Sequence, residues 1–350
     1  DSSAVYLDAL MGAISDIGRN RNNDNLNIIV AESPDIIEPE VQSAELNYST
    51  GVLKLTASEH MDFIPASNVD LSKIYISNVT GDNAISLIGA KVHEVDGYTC
   101  TITLTELQRS LAIAISGTSG GDGNAAFLDV YSGGIRDHGE NFNRNNLGLS
   151  ILEAVDIVPP TIELGLINYG TGLVTIRASE TLDVTPHDKV DFDRFFLSDI
   201  TGDHHVSLAN SEVISIDFPE INFTIPEIAR VKAIAISGTP GGDKKAVVLD
   251  VEYDALKDIA QNPNTIANNV SVIETPDTIP PQIVNVSLNY STGVLIVETD
   301  ETIDSTDSGR VNLSRMFLSN ALNSRDIALA SASVIARDDL GITIMIPPRD

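Results

Sequence analysis

The chain has 350 residues, 42% of them apolar, which suffices for two or three domains that each bury a core. Fifty Asp and Glu against 21 Lys and Arg leave a net charge of −29, so nucleic acid and anionic lipid surfaces are repelled rather than attracted. One Cys and no Trp exclude a disulfide framework, a Cys-rich zinc site and the Cys and Trp core of antibody-type sandwiches.

In chain order, the first residues lack the basic and apolar pattern of a signal peptide, and no later run approaches the length of a membrane span. A step of 121 residues then organises the rest of the chain. It separates Glu32, Glu153 and Glu274, and it separates the turn sequences LNYSTG, INYGTG and LNYSTG at Asn47, Asn168 and Asn289. Glu59, Glu180 and Glu301 keep the same phase, as do Asp62, Asp183 and Asp304, and Asp1 is in phase with Asp122 and Asp243. This predicts the C-terminal part of a repeat in 1–35, whole repeats in 36–156 and 157–277, and the N-terminal part of another in 278–350. Neither end falls on a repeat boundary, so the expected setting is a window on a longer array, or a fragment.

Within 36–156, residues 41–46 alternate in polarity, 47–51 are turn formers and 52–57 alternate again, which predicts a β-hairpin. Further strands are expected at 74–77, 84–95, 100–104, 125–131 and 149–155, about seven in all. Thr105-Glu-Leu-Gln108 has the form of a capping box and opens a short helix through Ala112. Several short strands over one such period predict an all-β fold: tandem immunoglobulin-like β-sandwich repeats of 121 residues, each with one short helix.

The run Asp-x-x-Pro-Pro, then a hairpin, then Ser-Glu-x-x-Asp, with Asp-x-x-x-Asn before the last strand, resembles the tandem bacterial-type Ig-like repeats of surface-layer proteins and large adhesins. It is also similar to long arrays in algal and protist cell-surface proteins, including flagellar-hair (mastigoneme) filaments. The resemblance covers the whole chain and implies an extracellular or cell-surface setting. The chain departs from it in its long repeat and in the helix near Glu106.

Chemistry essential to every repeat would recur at the same step, and the six His residues do not: His60 aligns with Thr181, His93 with Ile214, His138 with Ile259. No enzyme is therefore expected. Cys100 aligns with Ile221 and Ile342, which predicts a buried, inert thiol. The Gly-rich stretch near Gly241 places Asp243 where a phosphate loop needs Gly followed by Lys, so it is expected to be a structural connection. Asn-x-Ser/Thr triplets at Asn47, Asn78, Asn222, Asn269, Asn285, Asn289 and Asn312 are candidate glycosylation sites.

Carboxylates are the remaining recurring signal. With seven alternating strands, the start of the first strand, the loop after the second and the loop before the last all lie at one pole of a sandwich. Asp35, Glu59, Asp62, Asp137 and Asn141 are then expected to converge there. Asp156, Glu180, Asp183, Asp258 and Asn262 form the next copy. Oxygen ligands drawn from separate loops suit calcium, whereas turn formation and a Pro-Pro linker account for the same residues without metal. The two whole repeats are roughly 40% identical and align without insertion or deletion, a constraint on geometry that favours lateral or helical self-association. The expected function is a structural repeat of an extracellular filament, hair or surface layer. The alternative is an adhesin or a glycan- or protein-binding module.

Overall fold

The computed structural model describes residues 4–199, 203, 205–322 and 324–347. The chain divides into two compact units, Asp1–Asp156 and Ile157–Asp350.

Unit 1 begins with an exposed antiparallel pair, β1 (Tyr6–Ala9) and β2 (Asn25–Ile29). A sandwich comes next. Its strands are β3 (Val41–Asn47), β4 (Val52–Met61), β5 (Ile74–Ser77), β6 (Ile85–Ser86), β7 (Lys91–Val92) and β8 (Gly97–Thr103), then helix α1 (Glu106–Ala114), β9 (Phe127–Val130) and β10 (Asn146–Ala154). One sheet runs β3-β4-β8-β7 and the other β6-β5-β9-β10, the strand order of an immunoglobulin-like sandwich with an added short strand. β10 belongs to both. Its first half pairs antiparallel with β9, and its second half, Ile151 to Ala154, pairs parallel with Ala44 to Asn47 of β3. The partner changes between Ser150 and Ile151, just after a bulge at which Gly148 takes φ +74°, a left-handed conformation that favours glycine.

Local chemistry explains these elements. Val41, Ala44 and Leu46 of β3 and Leu53, Leu55, Ala57 and Met61 of β4 face inward. Between the two strands the Asn47 side chain accepts from Thr50 N at 3.2 Å, and Gly51 takes φ +65°. α1 starts at the expected capping box, with Gln108 N donating to Thr105 Oγ1 and Thr105 N to Gln108 Oε1. The Gln108 amide also reaches the carbonyls of Ser86 at 2.8 Å and Ile88 at 2.9 Å, tying the helix to the crossover between sheets.

That crossover corrects the expected single strand at 84–95. Ile85–Ser86 pairs in one sheet and Lys91–Val92 in the other, so there are eight strands rather than seven. The apolar alternation continues across Leu87 to Ala90, but Gly89 at φ +91° turns the chain from one layer to the other. The second strand also runs past its expected end to Met61.

Unit 2 repeats the series: β11 (Ile162–Asn168), β12 (Leu173–Leu182), β13 (Phe195–Ser198), β14 (Val206–Ser207), β15 (Glu212–Val213), β16 (Phe218–Thr224), α2 (Glu227–Ala235), β17 (Val248–Val251) and β18 (Ala267–Thr275). Its sheet order is the same, and β18 again pairs parallel with β11. After it come β19 (Ile283–Asn289), β20 (Val294–Ile303), β21 (Phe317–Leu318), β22 (Ile327–Ala328), β23 (Ser333–Ile335) and β24 (Asp339–Met345). These form a sheet β19-β20-β24-β23 and a pair β21-β22. The protein is thus mostly β. No helix among the described residues is long and apolar enough to cross a membrane.

Candidate functional site: the carboxylate pole

At the end of β4 the strand alternation that buries Leu53, Leu55 and Ala57 places Glu59 on the same inward side, ahead of Met61. Met61 bridges to Asp137 in the loop between β9 and β10, so the two loops meet at this pole. Asp35 arrives from the segment leading to β3, its Oδ1 accepting from Ile37 N at 3.0 Å. One carboxylate oxygen from each of Asp35, Glu59 and Asp137 lies within 4.8 Å of the others. Asp137 is 1% exposed and is braced by Asn141, whose backbone N donates at 2.9 Å and whose Nδ2 donates at 3.0 Å. Among the described residues none of the three carboxylates is paired with a basic side chain. Burial, then the charges of Asp137 and Asp35, hold the Glu59 carboxyl above its ordinary value.

Three of the five residues expected to share an ion are therefore together, and Asn141 supports them by bracing Asp137. Asp62 is held elsewhere. Arg136 grips its Oδ2 through Nη2 at 2.8 Å and Nε at 3.1 Å. Burial opposes ionisation of Asp62, but the bonds from Arg136 and Asn68 outweigh it and keep the carboxyl below its usual range.

The second copy shows the same division of labour. Glu180 and Asp258 are both buried, with oxygens within 4.8 Å, and Asn262 braces Asp258 at 2.8 and 2.9 Å. Asp183 is again diverted: Lys189 Nζ lies 2.7 Å from both its oxygens, and Gln261 Nε2 adds a bond at 2.7 Å. Asp156 belongs to unit 1, where its Oδ2 accepts from Arg109 Nη1 at 2.5 Å.

That arginine is what a search for carboxylates alone overlooks. Arg109 of α1 also bonds Glu106 at 2.8 and 2.9 Å and the Tyr48 carbonyl at 3.1 Å. Arg230 of α2 makes the matching set: Glu227 at 2.6 and 2.8 Å, the Tyr169 carbonyl at 2.8 Å and Asp277 Oδ2 at 2.8 Å. In a chain so poor in cations, two arginines at equal places in two helices, each under 10% exposed in its side chain, were the available signal.

A second overlooked group is Asp129, wholly buried, which accepts from Ser77 Oγ at 2.6 Å and from the backbone N of Gly81 and Gly148 at 2.7 Å each. Asp250 takes the same place in unit 2, accepting from Ser198 Oγ at 2.6 Å and Asn269 N at 2.9 Å. These carboxylates satisfy donors freed at the bulge in the last strand, which is structural work.

The remaining candidates sort simply. Cys100 is 1% exposed and burial pushes its thiol up to about 12, the reverse of activation. In the Gly-rich connections, a Cβ on Gly121 or Gly242 would stand 2.1 Å from the carbonyl oxygen of Ser116 or Ser237, so close packing demands glycine there. His60 stacks on His138 at 5.3 Å, and His138 Nε2 stands 3.9 Å from Asp96 Oδ2. Asp62 completes that cluster but is already occupied by Arg136. Of the sequon residues, Asn47, Asn269, Asn285, Asn289 and Asn312 are exposed, while Asn78 and Asn222 are half-buried. The Asn222 side chain accepts from Thr175 Oγ1 at 2.5 Å.

No protein-family model matches the chain, and no curated protein matches it. Among solved structures 26 chains match. One is a marsupial T cell receptor, 10% identical over 89% of this chain and 94% of that one, with a TM-score of 0.16.

Proposed function

We propose that the chain is a non-enzymatic structural protein, a tandem array of Ig-like repeats of 121 residues that bears load in an extracellular filament, hair or surface layer. The observation that carries this reading is the parallel pairing of the first and last strands of each sandwich, β3 with β10 and β11 with β18. A chain that enters along one strand and leaves along its parallel neighbour exits at the opposite pole, which suits end-to-end arrays. Tension then loads the rungs between the two strands together, in shear, instead of unzipping them one by one. The resemblance to surface arrays supports the extracellular setting, and the exposed sequons supply places for glycans. Alignment of the two whole repeats without insertions favours repeating lateral contacts, whereas an adhesin or other binding module would vary loop length. Electron microscopy of the native assembly tests this. Ordered lateral or helical packing is expected, and isolated flexible strings would favour the binding-module reading.

A second reading concerns Asp35, Glu59 and Asp137. Calcium is the proposed occupant, because three acidic oxygens stand within 4.8 Å and Glu59 is held up by its acidic neighbours. The equivalent of Asp35 in unit 2, Asp277, faces Arg230, so a guanidinium brought by another repeat is the competing occupant. Calcium titration separates them. A melting temperature that rises with calcium and falls back with chelator supports the metal, and indifference to both assigns the oxygens to a guanidinium.

A further inference from the structure

Where α2 faces the end of β20, the bonds of Arg230 continue past its own sandwich. Its Nη2 donates to Glu301 Oε2 at 3.1 Å. Glu227, on the preceding turn of the helix, accepts at Oε1 from the backbone N of Thr302 at 2.8 Å. The Arg230 side chain is 7% exposed and that of Glu301 17%. Glu301 occupies the inward alternation of β20 after Leu295, Val297 and Thr299, so its carboxylate points into the contact rather than into solvent.

We propose that Glu227 and Arg230 form a two-pronged clamp that fixes the direction of the sheet β19-β20-β24-β23 relative to the sandwich before it. The segment between them, Asp277 to Pro281, has two prolines, which restrict φ at 280 and 281 and leave the other torsions of the connection free. Stiffness of that kind sets a reach and leaves a direction open. Two hydrogen bonds from one rigid helical turn, given to a carboxylate and received from a backbone N–H one residue further on, define a direction. The guanidinium suits the task because its planar fork serves Glu227, Asp277, the Tyr169 carbonyl and Glu301 at once, which a lysine ammonium on a flexible stem does not reproduce. Burial removes most of the salt screening that weakens exposed ion pairs. Arg230 is thus a positioning residue: Glu227, Asp277 and the Tyr169 carbonyl hold it in its own repeat, and Glu301 belongs to the next.

The clamp rests on the reading of the chain as an array, but its test lies within one molecule and does not pass through assembly. Nitroxide labels are placed on the full chain at Thr265→Cys and Ser333→Cys, both exposed, with Cys100→Ala removing the native thiol. Pulsed electron spin resonance then reads the distribution of distances between them. The parent is expected to give one narrow distribution, unchanged in about 1 M NaCl. Glu301→Ala removes the receiving carboxylate and leaves the three other Arg230 partners in place, so the width is expected to grow about twofold or more. Arg230→Lys keeps the charge, loses the fork and is expected to broaden it as well. A width in Glu301→Ala as narrow as the parent's overturns the clamp. So does a parent whose width grows with salt. If the variants broaden as expected while micrographs show no lateral order, the clamp stands and the filament reading fails.

Discussion

Asp129→Ala is the most severe test of how the sandwich is held. Asp129 is wholly buried, and its carboxyl group's three bonds to Ser77 Oγ, Gly81 N and Gly148 N are 2.6, 2.7 and 2.7 Å. Hydrogen bonds to a charged group contribute about 1.5–3 kcal/mol each, and removing the acceptor strands two backbone donors inside the protein. A water entering the alanine cavity offsets part of this, so a net loss of about 3–5 kcal/mol is expected, in the range of a broken buried network. The assay is built into the chain. Cys100, the single thiol, is buried in β8 of the same unit, so its labelling by a thiol reagent reports the opening of that sandwich and no other. At one decade per 1.36 kcal/mol, labelling should accelerate about a hundredfold to several thousandfold. Asp250→Ala, in unit 2, should leave it unchanged. Labelling of Asp129→Ala within about threefold of the parent, equivalent to under about 1 kcal/mol, would refute the argument.

The other predictions concern charge. Because the folded carboxyl of Glu59 titrates above its unfolded value, its contribution is present at low pH and lost as pH rises through the folded pKa. In chelator Glu59→Gln is therefore expected to raise the melting temperature at neutral pH and leave it unchanged at pH low enough to protonate Glu59, whereas in calcium it should abolish the stabilisation by the metal; thermal melts under both conditions check this. Arg109→Met leaves Asp156 buried without its guanidinium and is expected to cost about 3–5 kcal/mol by urea denaturation. The double variant Arg109→Met with Asp156→Asn should recover part of that, and a double variant as unstable as the sum of both singles would contradict it. With a net charge of −29, the melting temperature should rise from low salt to about 1 M NaCl, where the Debye length falls to about 3 Å; a salt-independent melt would remove self-repulsion from the account.

The elements legible in the sequence are those whose cause is local. The turn at Asn47, the alternation of β3 and β4 and the box at Thr105 and Gln108 depend on neighbours a few residues away, and all stand where the pattern places them. The stretch 84–95 was not legible, because alternation says which side chains are buried without saying in which of two facing sheets. Strand parity brings Asp35, Glu59 and Asp137 to one pole. It cannot tell Glu59 from Asp62, three residues on, since that depends on which cation arrives: Arg136 for Asp62, and Lys189 for Asp183 from a different loop. Arg136 is in phase with Lys257 and Lys189 with Arg310, but Lys257 reaches Asp254 instead and the first repeat has Asn68 where the second has Lys189, so phase alone does not say which acid a cation meets. Arg109 and Arg230 are in phase as well, and a search for basic residues in phase, alongside the acidic ones, finds them.

Pulling the chain from its two ends in a force microscope tests the central claim most directly. If each sandwich is a load-bearing unit of 121 residues sheared between its first and last strands, extension should show two equal steps. Each should release about 40 nm of contour, at about 3.3–3.6 Å per residue. The partial sheet β19-β20-β24-β23 adds a shorter release of its own; a smooth extension without steps, or steps of unequal length from the two whole sandwiches, would contradict the claim.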